Sequence, residues 1–507
     1  MSIDRRGFLA GAAAAASAAA VGAGAATPAA RPAGAREDGL CDRDARELLA
    51  LLARRELSAR ELMAAHLERI RAWNPTLNAI VARLPDEECL ALAAAVDERR
   101  ARGAPLGALA GLPWAFKDLE PAVGFTWSRG STIFRDERPA FDSLVVERLR
   151  HAGVVPIGKT NTPEFGLGSH SYNRVYGTTL NPYDPTKSAG GSSGGAGAAL
   201  ATGMLALADG SDLGGSLRNP ANFNNVVGFR PSVGLVPTAP TPLPFYGFAV
   251  KGPMARTVSD VALLLSVLAG PDVRDPGCLP SDPAAFAAPL GRDLRGSRVA
   301  WCPDLGGLPL EADVRAALEP ARATLAALGC VVEDVAPDLA HADEVFLTLR
   351  ALRSWIVLGP LLERHRDELK PEAVGEIEAG RALGAREIGA ALAAHGALVE
   401  RMREFHARHD FIACAVNQLA PFDARLNWPK QVAGVAMEHY VAWMKSAYWI
   451  TATWQPAISV PAGFTAAGLP VGLQLVGRRL EDRRVLELAY GFEQATRVGL
   501  RRPPTLA

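Results

Sequence analysis

Serines in one glycine-rich stretch are the first residues of this chain that could carry covalent chemistry. The segment SAGGSSGGAGAALATGMLALADGSDLGGSLRNPANF, residues 188–223, holds Ser192 and Ser193 in GGSSGG and Ser216 at the end of GSDLGGS. A serine hydroxyl is a weak nucleophile at its ordinary pKa and needs a base beside it. GGSSGG satisfies G-x-S-x-G twice, centred on Ser192 and on Ser193, which would suit the nucleophile elbow of an α/β-hydrolase. That arrangement requires a histidine following an acid in chain order. The histidines after this segment (His341, His365, His395, His406, His409, His439) fall mostly in charged, helical-looking stretches such as ERHRDELK and REFHARHDF. A solvated surface role is the commoner one there, so a histidine-dependent triad has little support. A neutral lysine is the other base that can serve a serine.

One lysine draws attention for a different reason. GVVPIGKT, residues 153–160, matches G-x-x-x-x-G-K-[ST], the phosphate-binding loop of many nucleotide hydrolases. Such a loop follows a strand and opens a helix, so that glycines and backbone N–H groups wrap the phosphates. Here Gly153 follows the helical pattern DSLVVERLRHAG and is placed as its C-terminal stop. The residues between the glycines, Val154, Val155, Pro156 and Ile157, are apolar and read as a buried strand. Nucleotide binding is therefore a poor account of Lys159, which needs another explanation.

The elements that would position these residues alternate. LNAIVARL, LPWAFKD, GVVPIGKT and RVAWCPD read as strands, and amphipathic helices separate them. LSARELMAAHLERIRAWN opens with Ser58 and Glu61 spaced as a capping box, and with Leu57 and Leu62 spaced as a hydrophobic staple. Strands alternating with helices argue for an α/β fold.

In combination, the motifs resemble those of the amidase signature family. GGSSGG, the downstream GSDLGGSLRNPANFNNVVGFRPS and the upstream GLPWAFKD carry the resemblance, and GKTNTPEFG is a recurrent stretch in that family. The likeness runs from about Ser58 to ISVPAGFTAAGLPVGLQLVGRR near Arg479. It implies one large domain, residues 36–507, with a central mixed β-sheet covered by helices. It implies a catalytic triad of Ser216 as nucleophile, Ser192 as bridging serine and Lys117, the lysine of FKD, as base. It also implies a cis peptide between Gly191 and Ser192, and an oxyanion site built from the backbone N–H groups of Leu213, Gly214, Gly215 and Ser216.

The family cleaves carboxylic amide C–N bonds, releasing an acid plus ammonia or an amine, and includes hydrolases of lactams, carbamates and esters. For Lys117 to act as base it must be neutral. A free lysine ammonium has a pKa of about 10.4, and bringing it to about 7 costs roughly 4 kcal/mol. Burial shifts a lysine in that direction, and Trp114, Ala115 and Phe116 beside it are apolar. On a strand, Asp118 should face away from Lys117. Ser193 is expected to support the network by hydrogen bonding, while Asp212, Arg218 and Glu164 are expected to hold structure. Tyr246, Phe248 and Trp454, with Phe245 and Trp428, are candidates for an apolar pocket favouring a bulky amide, although aromatic residues of this kind more often fill a core.

The remaining features bound the setting. The chain has 507 residues, 49% of them hydrophobic, with 54 basic and 54 acidic side chains. A balanced charge offers no electrostatic attraction to nucleic acid. The expected partner is a small-molecule amide, with no cofactor and no metal, and a homo-oligomer is compatible with the sequence. Six scattered cysteines without a C-x-x-C pair are expected to be isolated thiols. MSIDRRGFLAGAAAAASAAAVGAGAA carries paired arginines, Arg5 and Arg6, ahead of an alanine-rich run. This is the layout of a twin-arginine export signal, residues 1–35 with its linker, and predicts a periplasmic or extracellular protein without stable membrane insertion after signal removal. Export would also argue against the cytosolic tRNA-dependent amidotransferase role found in the family. An exported binding protein without catalysis would be marked by loss of Lys117, Ser192 or Ser216, and all three are present.

Overall fold

Strand β1 (Ile80–Val81), β2 (Pro113–Lys117) and β3 (Val155–Thr160) form a small sheet in the order β1-β3-β2, with β3 antiparallel to β1 and parallel to β2. Eight more strands build the main sheet: β4 (Leu207–Asp212), β5 (Val227–Arg230), β6 (Val250–Ala255), β7 (Arg298–Trp301), β8 (Val331–Asp334), β9 (Phe411–Ala415), β10 (Ala457–Phe464) and β11 (Pro470–Gly477). Their order is β8-β7-β9-β11-β10-β5-β6-β4; β7 runs parallel to β8 and β9, and the other pairs are antiparallel. The mixed sheet is packed by helices, as the alternation of strand and helix patterns predicts. This computed structural model describes residues 39–504, and these belong to one compact unit. The segment read as an export signal, residues 1–35, lies outside the described residues.

Local sequence accounts for the elements near the chemistry. The capping box forms: Ser58 Oγ accepts from Glu61 N, and the Glu61 carboxylate accepts from Ser58 N, satisfying two N–H groups that a helix start leaves without partners. The helix Leu144–His151 ends before Gly153, which takes φ +85°, a conformation that favours glycine. The chain then enters β3 directly. Val155, Ile157, Lys159 and Thr160 are all buried in that strand, so the GVVPIGKT stretch is a sheet element and not an anion-binding loop.

All five residues of β2 are buried, with Trp114 and Phe116 among the largest side chains fully enclosed in the core. The small sheet is tied to the main one through Asp209 on β4, which accepts hydrogen bonds from Trp114 Nε1 at 3.0 Å and Lys117 N at 3.1 Å. The six cysteines are free thiols, five of them buried and Cys278 partly so.

Candidate active site

Lys117 closes β2 and points inward, with no exposed surface. Its Nζ lies 2.8 Å from Ser192 Oγ, 2.8 Å from Ser193 Oγ and 3.0 Å from Ser211 Oγ. Ser192 and Ser193 precede the buried helix Gly194–Ala201, and the Gly191–Ser192 peptide is cis. Ser211 stands two residues beyond Asp209 on β4, on the same face of that strand. Among the described residues, Lys117 thus has three hydroxyl partners and no carboxylate.

Burial, aided by the nearby Lys251 ammonium, lowers the Lys117 pKa to about 7, against the opposing pull of Asp209, Glu120 and Asp212. A neutral amine has two N–H donors and one lone pair. With three hydroxyls around it, one must therefore donate to nitrogen. Asp118, as expected for the next residue of an extended chain, engages Ser128 Oγ and lies 3.8 Å from Lys159 Nζ. Glu120 pairs with Lys251, and this ion pair outweighs burial to hold the Glu120 carboxyl low.

Ser216 is 7% exposed and opens, with Ser192 at 2%, onto one cavity of about 970 Å³. The loop carrying it is fixed by Asp212. The Asp212 carboxylate accepts from Arg218 Nε at 3.0 Å, Arg218 Nη2 at 2.9 Å, Arg230 Nη1 at 3.3 Å and Leu217 N at 3.2 Å. Burial alone would raise its pKa, but the two guanidiniums prevail and hold it well below the usual carboxylate range. Arg218 spends its remaining donors on Ala447 O, Gln474 Oε1 and Thr451 Oγ1, all in the interior. Neither residue is free to bind a ligand; they brace the turn, as the sequence suggests.

One expected oxyanion donor is corrected. The Gly215 N–H donates to Asp212 Oδ1 at 2.8 Å, so it is used inside the loop and does not face a ligand. The N–H groups of Leu213, Gly214 and Ser216 make no hydrogen bond among the described residues. Glycine at 215 is required by space and by conformation: φ is +121°, and a Cβ would lie 2.5 Å from Asn219 Nδ2 and 2.7 Å from Ala447 Cβ.

The aromatic candidates separate. Tyr246 and Trp454 line the cavity, and Phe245 stands at its rim, 78% exposed. Phe248 does not line it. It is 1% exposed and stacks on Phe346 with ring centroids 5.9 Å apart, forming part of the core behind the wall. Trp428 lies outside the cavity, beneath Lys430 Nζ.

Sequence reasoning missed Ser211, Phe346 and Arg350. Ser211 had a readable signal, its two-residue spacing from a buried aspartate on a strand. Phe346 and Arg350 sit on a helix more than a hundred residues downstream of the serine segment, and no local pattern links them to it. Glu164 accepts from Lys370 N at 2.9 Å, a structural role.

Comparison with known proteins identifies the family and the fold. The Amidase family model matches residues 61–486. The chain is 35% identical over 452 residues to an acylamidase of Rhodococcus erythropolis, covering 89% of this chain and 94% of that one. It is also 35% identical over 473 residues to a glutamyl-tRNA(Gln) amidotransferase component of Synechococcus sp. (strain CC9605), covering 88% and 95%. A bacterial aryl acylamidase of the amidase signature enzymes superposes with a TM-score of 0.84 at 28% identity, over 91% of this chain and 99% of that structure.

Proposed function

The chain belongs to the amidase signature family, and from that premise we propose that it hydrolyses the C–N bond of a small-molecule carboxylic amide, with Ser216 as nucleophile and Ser192 and Lys117 as its proton relay. The observation that carries this reading is the buried Lys117 Nζ, 2.8 Å from Ser192 Oγ, at a cavity that Ser192 and Ser216 line together.

The Ser216 oxygen attacks the carbonyl carbon as its proton passes to Ser192 Oγ, while the Ser192 proton passes to the Lys117 lone pair. The negative charge that develops on the carbonyl oxygen is met by the free N–H groups of Leu213, Gly214 and Ser216, and donors of this kind typically contribute about 3 kcal/mol each. Collapse breaks the C–N bond, and the relay run backwards delivers the proton to the departing nitrogen. Water then attacks the acyl-enzyme by the same path, releasing the acid and restoring Ser216. Lactams, carbamates and esters present the same electrophilic carbon to this machinery.

A cavity of about 970 Å³ lined by Tyr246, Trp454, Phe346 and Trp127 supports a bulky substrate over a small one. The Arg5-Arg6 pair and the alanine-rich run after it support export by the twin-arginine route, which would part this chain from a cytosolic amidotransferase role.

Intact mass after treatment with a serine-reactive fluorophosphonate tests the assignment. A single adduct on wild type, absent from Ser216→Ala and formed slowly on Ser192→Ala, is expected. An adduct that survives in Ser216→Ala would overturn it and move the nucleophile to Ser192 or Ser193.

A further inference from the structure

We propose that this cavity selects an amide substrate carrying a carboxylate remote from the scissile bond, and that Arg353 receives that carboxylate; the inference rests on the amidase reading above.

The helix Ala342–His365 forms one wall, presenting Phe346, Arg350, Arg353, Val357, Leu361 and Arg364 to the cavity at the three- and four-residue spacing of a single helical face. Phe346 fixes the end nearest the nucleophile: its Cζ lies 2.9 Å from where a Cβ on Gly214 would stand. Arg353 is seven residues further on, a rise of about 10 Å along the helix. It is partly buried and makes no hydrogen bond or ion pair among the described residues; its guanidinium sits 5.7 Å from the Tyr246 ring centroid. Tyr246 OH and Trp454 Nε1 also lack a hydrogen-bond partner among the described residues, but both atoms are buried and closed off from the cavity. Arg353 is the group that reaches it, and a guanidinium without a counter-charge on a cavity wall is matched by a carboxylate, which accepts two of its N–H donors at once.

Most of the other charges on the wall are paired or hydrogen-bonded. Arg350 pairs with Glu376 at 2.7 Å. Asp212 is held by Arg218 and Arg230, and Lys251 by Glu120. Asp275 accepts from Thr238 N at 2.7 Å and Gly277 N at 2.9 Å. Arg129 pairs with Glu137. The remaining wall cations, Arg364 and Arg479, are exposed and form no ion pair among the described residues. Among the described residues the cavity wall therefore presents three cations without an ion pair, Arg353, Arg364 and Arg479, against one such carboxylate, Asp275, a balance that favours an anion entering it.

The test measures binding by calorimetry to the Ser216→Ala protein, so that it does not depend on turnover. Two acids place a carboxylate at the far end of an extended chain on either side of the amide: suberic acid monoanilide and the benzamide of ω-aminooctanoic acid. Each is compared with its methyl ester. At least one acid is expected to bind tenfold or more tighter than its ester. In Ser216→Ala/Arg353→Ala that ratio is expected to fall toward one, and in Ser216→Ala/Arg353→Lys part of it should return. Equal binding of acids and esters overturns the proposal, and so does a preference that survives Arg353→Ala. Wild-type turnover of the same four compounds reports separately on the amidase reading. Hydrolysis without charge preference would overturn the subsite alone, whereas charge-selective binding without hydrolysis or fluorophosphonate labelling would overturn the amidase reading alone.

Discussion

Lys117 Nζ stands 2.8 Å from Ser192 Oγ on a side chain with no exposed surface, and that pairing joins the end of β2 to the segment that leads into the helix Gly194–Ala201. Burial is the main cause of its pKa near 7, so the protonated fraction changes across the neutral range. The base form is the active one. kcat/KM is expected to rise with pH through about 7 and level off above it, which a pH–rate profile on any turned-over amide will show. Lys117→Met should lower kcat by roughly 10²–10⁴-fold and remove the rising limb. Lys117→Arg should not restore it, because a guanidinium stays protonated.

The same depressed pKa has a consequence for stability. Between about 7 and the ordinary lysine value, the unfolded chain binds a proton that the folded one does not, so acidification through that window favours unfolding. Stability linked to Lys117 is thus complete above the unfolded value and lost as pH falls toward 7. Lys117→Met is expected to melt no lower than wild type at pH 7, with its relative advantage shrinking as pH rises toward about 10. Paired thermal melts across that range will measure it.

Asp212 is the sole carboxylate partner of two fully buried arginines, Arg218 and Arg230, among the described residues. Asp212→Asn leaves both guanidiniums without a counter-charge and weakens the acceptor of the Gly215 N–H. A loss of about 3–5 kcal/mol in unfolding free energy is expected, the usual outcome of removing one partner from a buried ion pair. Denaturant titration of the variant against wild type gives the number.

Gly215→Ala meets both a positive φ and a filled space, with atoms of Asn219 and Ala447 closer than 3 Å to the added methyl. Destabilisation of about 1–3 kcal/mol is expected from the backbone and overpacking together. The turn also sets the neighbouring N–H groups of Gly214 and Ser216, so kcat should fall more than KM rises. Steady-state kinetics on the folded fraction will separate the two effects.

GVVPIGKT supplies a negative prediction. Lys159 is 0% exposed within β3, and its Nζ donates to Glu120 O. Mg-ATP at millimolar concentration should leave the melting temperature where it is, since only a ligand that binds the folded state raises it. An upward shift would mean a nucleotide site elsewhere in the chain.

Much of this protein was legible in one dimension. The strand reading of GVVPIGKT, the Ser58–Glu61 cap and the helix stop at Gly153 depend on residues within a few positions of one another, and local sterics and hydrogen bonding decide such features. The family motifs single out Lys117, Ser192 and Ser216, although nothing in their spacing brings them to one site. That Lys117 has Ser211 as a further partner, that Asp212 takes the Gly215 N–H away from the oxyanion site, and that Phe248 lies behind the cavity wall while Phe346 forms it were decided only by tertiary structure. The reason is physical. A side chain's partners in the interior come from strands and helices packed side by side, and which face of a distant helix meets a given loop depends on how the whole core closes around it.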